Sequence, residues 1–424
     1  MSIKILPVFI FLFLSISTSP AQNNLAYYLQ KGFQNFPVLQ DYQNQQSINA
    51  LQRDLIGAQH STFQLSFTAS YLFAPYFNNN GNFISTNPAP DAIGYDVGIT
   101  NGGEYSALFN VERNILNGRI VNALQRRNSV KIRQDRFSYV LEKHKLRKQI
   151  TDQYLTAYQS LLEYGLAKEV VNNLEKQLRI TSELVEKGYE SAQNYLLLKV
   201  ESQHQTINLK ETFQNYKTDL TELNSLCGIK DTAAMQIDSV DMSLKPALDS
   251  THFIRQFTLD SLATVADQSV FETKYWPQVN LFINTGLNAV ELDGIQRKFG
   301  FSAGINLSVP IYDGRQKSIT RQQSRIARET ISAYKGYSKT NLRVRRENAF
   351  AKIRSLKESL DGLETQITDY RNLIRISSEQ LETGGISMIG YLTMLRNLIR
   401  LRKTKIEKKI SYQMEINNFN YWNW

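Results

Sequence analysis

The chain has 424 residues, a formal net charge of +10, four histidines and a single cysteine. One thiol at Cys227 excludes an intrachain disulfide framework, and His60, His144, His204 and His252 show no ligand spacing, so neither a disulfide scaffold nor a metal site is expected. The basic balance is concentrated on a predicted long helix, in the run that carries Arg321, Arg325, Arg328, Arg343, Arg345, Arg346 and Arg354, where a solvated charged face explains it better than nucleic-acid binding.

Residues 1–21 carry Lys4, an apolar run from Ile5 to Leu14 and the end Ser19-Pro20-Ala21. The run is about ten residues long where a spanning helix needs about twenty, so it reads as a signal peptide cut after Ala21. A first helix is predicted near Val38 to Gln59. From Phe63 to Phe73 every odd position is apolar and most even ones are Gln, Ser or Thr, the period of two that marks a strand. Ala74 to Ile93, rich in Asn, Gly and Pro, reads as a surface loop. Alternation returns at Tyr105, Ala107, Phe109 and Val111. A helix free of proline for about 70 residues then runs from Gly118 to Gly188, about 105 Å at 1.5 Å per residue, and a shorter helix runs from Ser191 to about Leu226.

The same order follows again: a helix from Phe257 to Lys274, strands over Val279 to Leu287 and Phe299 to Val309, a long helix from Gly314 to Gly384, and a return from Ser387 to about Phe419. The repetition has a fixed offset of 196 residues. Ser106 to Arg119 lies over Ser302 to Arg315 with six identities in fourteen positions, and Glu186 to Leu196 lies over Glu382 to Leu392 with five in eleven. We therefore expect a tandem repeat, with residues 22–226 as the first copy, 227–256 as an equatorial linker and 257–424 as the second.

The intervening positions of the last two strands are Asn280, Asn284, Asn288, Ser302, Asn306 and Ser308, with glycines, fewer Lys and Glu than a soluble sheet's water face carries, which suits a membrane barrel with a wet lumen. Aromatic residues at strand ends (Tyr71, Phe73, Tyr76, Phe77, Tyr275, Trp276) are candidates for interfacial girdles. Four strands cannot close a barrel in lipid, where an open edge leaves backbone groups unpaired. Two copies would supply eight strands and three would supply twelve. Nothing resembles a paired-carboxylate, Ser/His/Asp or phosphate-loop motif, and no enzyme activity or cofactor is expected.

The order helix, hairpin, long helix, glycine tip and half helix, given twice, resembles the TolC-like outer membrane efflux proteins. Val309-Pro310-Ile311-Tyr312-Asp313-Gly314 matches that family's strand-to-helix joint, with Gly118, Pro310 and Gly314 as the joint residues and Asn114 in place of the proline in the first copy. Gly188-Tyr189-Glu190-Ser191 and Gly384-Gly385-Ile386-Ser387 match its helix tips. Asn35-Phe36-Pro37-Val38-Leu39 is similar to its Asn-Pro start of the first helix, with one residue inserted.

The resemblance implies a homotrimer in the outer membrane, with a twelve-stranded barrel and a coiled-coil periplasmic tunnel. It also implies a periplasmic adaptor and an inner-membrane transporter as partners, and adaptor docking at Gly188, Ser191, Tyr195, Gly384, Ser387 and Tyr391. Relatives with a selective entrance carry acidic residues shortly after the second tip. Gly390 and Thr393 stand there in this chain, so the expected constriction is a less charge-selective one, narrowed by Met388, Tyr391 or Met394. The alternative is a periplasmic coiled-coil scaffold or adaptor without a pore, which would have the long helices and the export signal but no alternating strands ending at a girdle.

Overall fold

The computed structural model describes residues 24–79, 82–85, 93–95, 103–230, 237–248, 251–290, 292–382 and 385–424. The expected signal segment 1–21 and Gly384 lie outside the described residues. In chain order the elements are helices α1 (Leu25–Asn35) and α2 (Pro37–Ser61), then strands β1 (Gln64–Phe73), β2 (Tyr76–Asn79), β3 (Asn82–Ser85) and β4 (Gly103–Asn114). Helices α3 (Gly118–Glu186), α4 (Ala192–Leu226) and α5 (Arg255–Glu272) follow. Strands β5 (Gln278–Ala289) and β6 (Phe299–Ser308) and helices α6 (Gln316–Glu382) and α7 (Met388–Trp422) complete it. No helix among the described residues is long and apolar enough to cross a membrane.

Two compact units form, and each draws on both halves of the sequence. One consists of the chain up to Leu39, Leu141–Thr251 and Thr340–Trp424. The other consists of Gln40–Val140 and His252–Lys339.

The second unit holds the sheet, in the antiparallel order β1-β4-β5-β6. β1 and β6 each have one unpaired edge among the described residues. Where a surface loop was expected, β2 and β3 form a short hairpin and Phe77 bridges to Ile93. Tyr76 is buried there, with Gly94 against its ring, which removes it from the expected girdle; Tyr71, Phe73, Phe77 and Trp276 remain exposed. A polar joint ties α2 to α3: Asn49 Nδ2 donates to Asp135 Oδ2 at 2.5 Å and Asn128 Nδ2 to the Asn49 carbonyl at 2.8 Å, with all three residues buried.

The first unit is helical. Its start has a local cause: Asn24 caps α1 by accepting the Tyr27 N–H at 2.9 Å, and Phe36, placed before Pro37, is forced to extended backbone and separates α1 from α2. Asn35 at the end of α1 donates to the carbonyls of Cys227 and Gly228 at 3.0 and 3.2 Å, just past the end of α4. Ile150, Tyr154, Leu155, Leu198, Leu223 and Cys227 are fully buried, and burial pushes the Cys227 thiol up to about 12, leaving it protonated.

Residues 237–248 have no regular structure, yet five of their backbone polar groups are satisfied by amide side chains of α7 and of Asn423 just past its end. The N–H groups of Met242, Lys245 and Leu248 donate to Gln413 Oε1, Asn420 Oδ1 and Asn423 Oδ1 at 2.7, 2.9 and 2.8 Å. Asn420 and Asn423 return hydrogen bonds to the carbonyls of Ser243 and Pro246 at 2.9 and 2.6 Å. A helix face thus stands in for a neighbouring strand.

Candidate functional site

Two features are candidates for function, and each belongs to one unit. The first is the pair of sheet faces. Strand register brings Leu65, Val111, Ile283 and Ala303 into one row and Phe67, Phe109, Thr285 and Phe301 into the next, all on one face. That face is bare: Leu65 is 71% exposed, Phe301 79% and Leu307 67%. A contiguous array of large apolar side chains left open to water marks a surface suited to meet something apolar. Ser66, Asn110, Asn284 and Ser302 form the corresponding row on the opposite face, and Asn114, Asn280 and Asn306 another. There Ser70 and Ser106 share a hydrogen bond of 2.7 Å, and Asn110 Nδ2 donates to Thr68 Oγ1 at 2.8 Å.

At the joints, Pro310 lies just past the end of β6, and Gly314 has φ +64 as expected of a glycine swivel. Arg315 follows it with φ +67, the one non-glycine residue in the left-handed region among those described. Asp313 then caps α6, accepting the Lys317 N–H at 2.9 Å and the Tyr275 hydroxyl. Gly118 departs from expectation. Its φ is not in the positive range, and among the described residues nothing beyond its own helix and chain neighbours lies within 4 Å of a Cβ built on it, so the first joint uses no glycine freedom. Asn117 shapes that joint, donating to the His60 carbonyl.

The second feature is the two tips. Gly188 has φ +78 and ends α3 in a Schellman arrangement: its N–H donates to the Val185 carbonyl at 3.0 Å and the Tyr189 N–H to the Leu184 carbonyl at 2.8 Å. Tyr189 is 80% exposed. Ser191 caps α4 by accepting the Asn194 N–H at 3.1 Å. At the equivalent positions of the second tip, the Gly385 N–H donates to the Gln380 carbonyl at 2.8 Å and Ser387 caps α7 through the Gly390 N–H at 3.2 Å.

The tips differ in what packs behind them. Met388, Tyr391 and Leu392 are buried in a cluster with Leu166, Val170, Leu174 and Leu198. Their counterparts Ala192 and Leu196 are exposed, and Tyr195 is half-buried. Met388 and Tyr391 therefore belong to the protomer's core, which corrects the expectation that they narrow an entrance. Thr393 is exposed, while Gly390 and Met394 are half-buried.

The tip helices are further joined by charge. Arg396 donates twice to Glu201 Oε2, at 2.8 and 2.5 Å, and Gln205 donates to Glu201 Oε1 at 2.9 Å. Burial pushes the Glu201 carboxyl up, but these hydrogen bonds outweigh it and hold the group below the ordinary carboxylate range. Nearby, a cavity of about 450 Å³ is lined by Leu174, Tyr391, Leu395, Glu169 and Arg402. Arg402 grips Glu169 bidentately at 2.7 and 2.8 Å and lowers its pKa, so both charges are structurally committed.

Comparison with known proteins bears on what this arrangement is. No protein-family model and no curated protein matches the sequence. Solved structures do. The chain is similar to CusC, which forms a transmembrane channel, with a TM-score of 0.73 and 11% identity over 94% of this chain and 91% of that one. It is similar to the CmeC outer membrane channel of Campylobacter jejuni at 0.71 and 13%, over 94% and 85% of the two chains. A third likeness is to the outer membrane protein VceC of Vibrio cholerae, at 0.70 and 11%, over 94% and 96%.

The fold is that of outer membrane channel proteins. An outer membrane channel fold accounts for a sheet with one bare apolar face and one polar face in the same unit. The element order of helix, hairpin, long helix and shorter helix, twice over, belongs to it across nearly the whole chain.

Proposed function

We propose that the chain is the exit duct of a tripartite efflux or secretion system. It is exported by its first 21 residues and sits in the outer membrane as a homotrimer with a large periplasmic extension. Three copies pool their strands into a twelve-stranded barrel continued by a coiled-coil tunnel, and the duct conducts passively, with no enzymatic step. In this reading the chain arose by tandem duplication, as copies 22–226 and 257–424 with a linker between them.

The observation that carries the reading is the four-stranded sheet. It offers a bare apolar face, a polar face dominated by Asn, Ser and Thr, and two edges, at β1 and β6, that are unpaired among the described residues and need another copy to satisfy them in lipid. Heat-resistant trimers in detergent extracts of the outer membrane are the expected result. A monomeric mass in mild detergent, or recovery in the soluble periplasm, would reject the duct and favour the scaffold.

The tips are the proposed contact with a periplasmic adaptor, which in turn meets an inner-membrane transporter. Gly188 and Tyr189 support this, since among the described residues nothing beyond its chain neighbours lies within 4 Å of a Cβ at Gly188, and Tyr189 is exposed. Gly188→Asn adds bulk while tolerating a left-handed φ. Loss of cargo export from normally assembled Gly188→Asn or Tyr189→Ala trimers is expected, and unchanged export would remove docking at that tip. Gly384→Leu asks the same of the second tip.

A further inference from the structure

We propose that the end of the sheet from which the helices start is a binding belt for anionic phospholipid headgroups. This rests on the reading of the sheet as a membrane wall, and adds to it the kind of lipid that the wall selects.

Arg113 carries the argument furthest. It is on the apolar face of β4, opposite Leu281 and one residue from the strand's end. Its guanidinium lies 4.8 Å over the Phe63 ring, and its Nε is buried with no hydrogen-bond partner. No carboxylate pairs with it among the described residues. A cation on a lipid-facing wall, one strand position from the interface, extends toward the headgroups and takes its counter-charge there.

The same end of the sheet holds four more cations outside any ion pair among the described residues. The Arg119 guanidinium stacks 3.1 Å from the Trp276 ring centroid. Lys274 Nζ is 3.9 Å over Phe271 and donates to Gln316, and Lys317 Nζ is 5.0 Å over Tyr275. Arg315 is exposed. The neighbouring acids are already engaged or turned away. Glu272 is gripped by Arg321, Asp313 accepts from Tyr275 and the Lys317 N–H, and Glu112 lies on the opposite face in the row of Gln64 and Phe282. Exposed Trp276, Ile311 and Tyr312 interleave the cations with side chains suited to an interface. Four cations with no carboxylate partner among the described residues, and Lys317, which also acts on Glu272, set against an aromatic rim, match a phosphodiester carrying net negative charge better than a zwitterionic headgroup.

The test uses the purified trimer in vesicles and nanodiscs. From an equal mixture of phosphatidylglycerol and phosphatidylcholine, lipid retained by wild type in native mass spectrometry is expected to be enriched in phosphatidylglycerol by about tenfold. Its thermal midpoint is expected to rise with phosphatidylglycerol content. An Arg113→Gln, Arg119→Gln, Arg315→Gln variant should lose most of both effects. Equal retention of the two lipids by wild type overturns the belt without reference to any variant. An equal rise in midpoint on adding inorganic phosphate to phosphatidylcholine nanodiscs would indicate a free-anion site and also overturn it. Failure to float with vesicles of either composition would reject the membrane wall itself, whereas insertion without lipid preference rejects only the belt.

Discussion

The Phe282 ring lies across Gly304, its register partner between β5 and β6: a Cβ on Gly304 would come within 2.4 Å of Phe282 Cζ. Phe282, Leu108 and Leu72 are the bulky apolar side chains on the otherwise polar face, and the first two sit opposite glycines, Leu108 facing Gly286. The two glycines fail differently when changed. Gly304→Ala should destabilise the sheet by about 1 to 3 kcal/mol through overpacking and be relieved by Phe282→Leu. Gly286→Ala has φ +149 to contend with and would drive its Cβ to 2.1 Å from the Ala107 carbonyl, which is backbone and cannot yield. No change at position 282 should rescue it. A double-mutant cycle read by thermal unfolding checks both, and rescue of Gly286→Ala by Phe282→Leu would refute the distinction.

Much of this was legible in the sequence, and the reason is physical. A sheet with one lipid-type face and one wet face must alternate, so Phe63 to Phe73 and Phe299 to Val309 announced themselves. A helix without proline that keeps its length in two copies gave α3 and α6 to within a few residues. Register was not legible, so the pairing of Phe282 with Gly304 could not be foreseen. The tips show a similar limit: Tyr195 and Tyr391 have identical spacing from their glycines, yet only Tyr391 is buried, because Leu166, Val170 and Leu174 of α3 pack on α7 there. The amide ladder from Gln413, Asn420 and Asn423 gave no signal either, since polar residues on a helix read as a solvated face.

The two sheet faces predict opposite responses to charge. Lys at Phe301 or Leu307 is expected to cost about 2 to 4 kcal/mol if these positions meet the bilayer midplane. Lys at Ser302 or Asn306 is expected to be tolerated. The amount of assembled protein in the outer membrane measures this, and equal loss from both pairs would reverse or cancel the face assignment.

Arg396 and Glu201 are unequal partners, since the Glu201 side chain is 1% exposed and that of Arg396 is 60% exposed. Removing the arginine leaves a buried carboxylate with Gln205 as its one side-chain hydrogen-bond donor among the described residues, whereas removing the charge at Glu201 leaves an arginine that water can reach. Arg396→Ala is therefore expected to cost about 2 kcal/mol and Glu201→Gln distinctly less. Denaturant unfolding of both variants and the double variant tests the order, and a costlier Glu201→Gln would contradict it.

The Arg321–Glu272 tie gives a pH dependence of known sign. Hydrogen bonds from Arg321 hold the Glu272 carboxyl at about 2, below its ordinary 4.5. The native state binds the proton less readily than the unfolded chain, so the stabilisation is complete above about pH 4.5 and fades as pH falls through 2. The difference in thermal midpoint between wild type and Glu272→Gln should be constant from neutral pH down to about 4.5 and shrink below it. A gap that widens on acidification would show that another group controls this joint.

Strand order also fixes a sequence of events in time. β5 and β6 are neighbours in the chain and can zip as soon as both exist, but the β4–β5 seam joins Glu112 to Phe282, about 170 residues apart, and must close a long loop first. During synthesis, β4 therefore waits with an unpaired edge while α3, α4 and α5 are made. The first hairpin is the part of this protein most in need of protection before it is finished, and a chaperone that holds Tyr105 to Asn114 would guard the one seam that the nascent chain completes late.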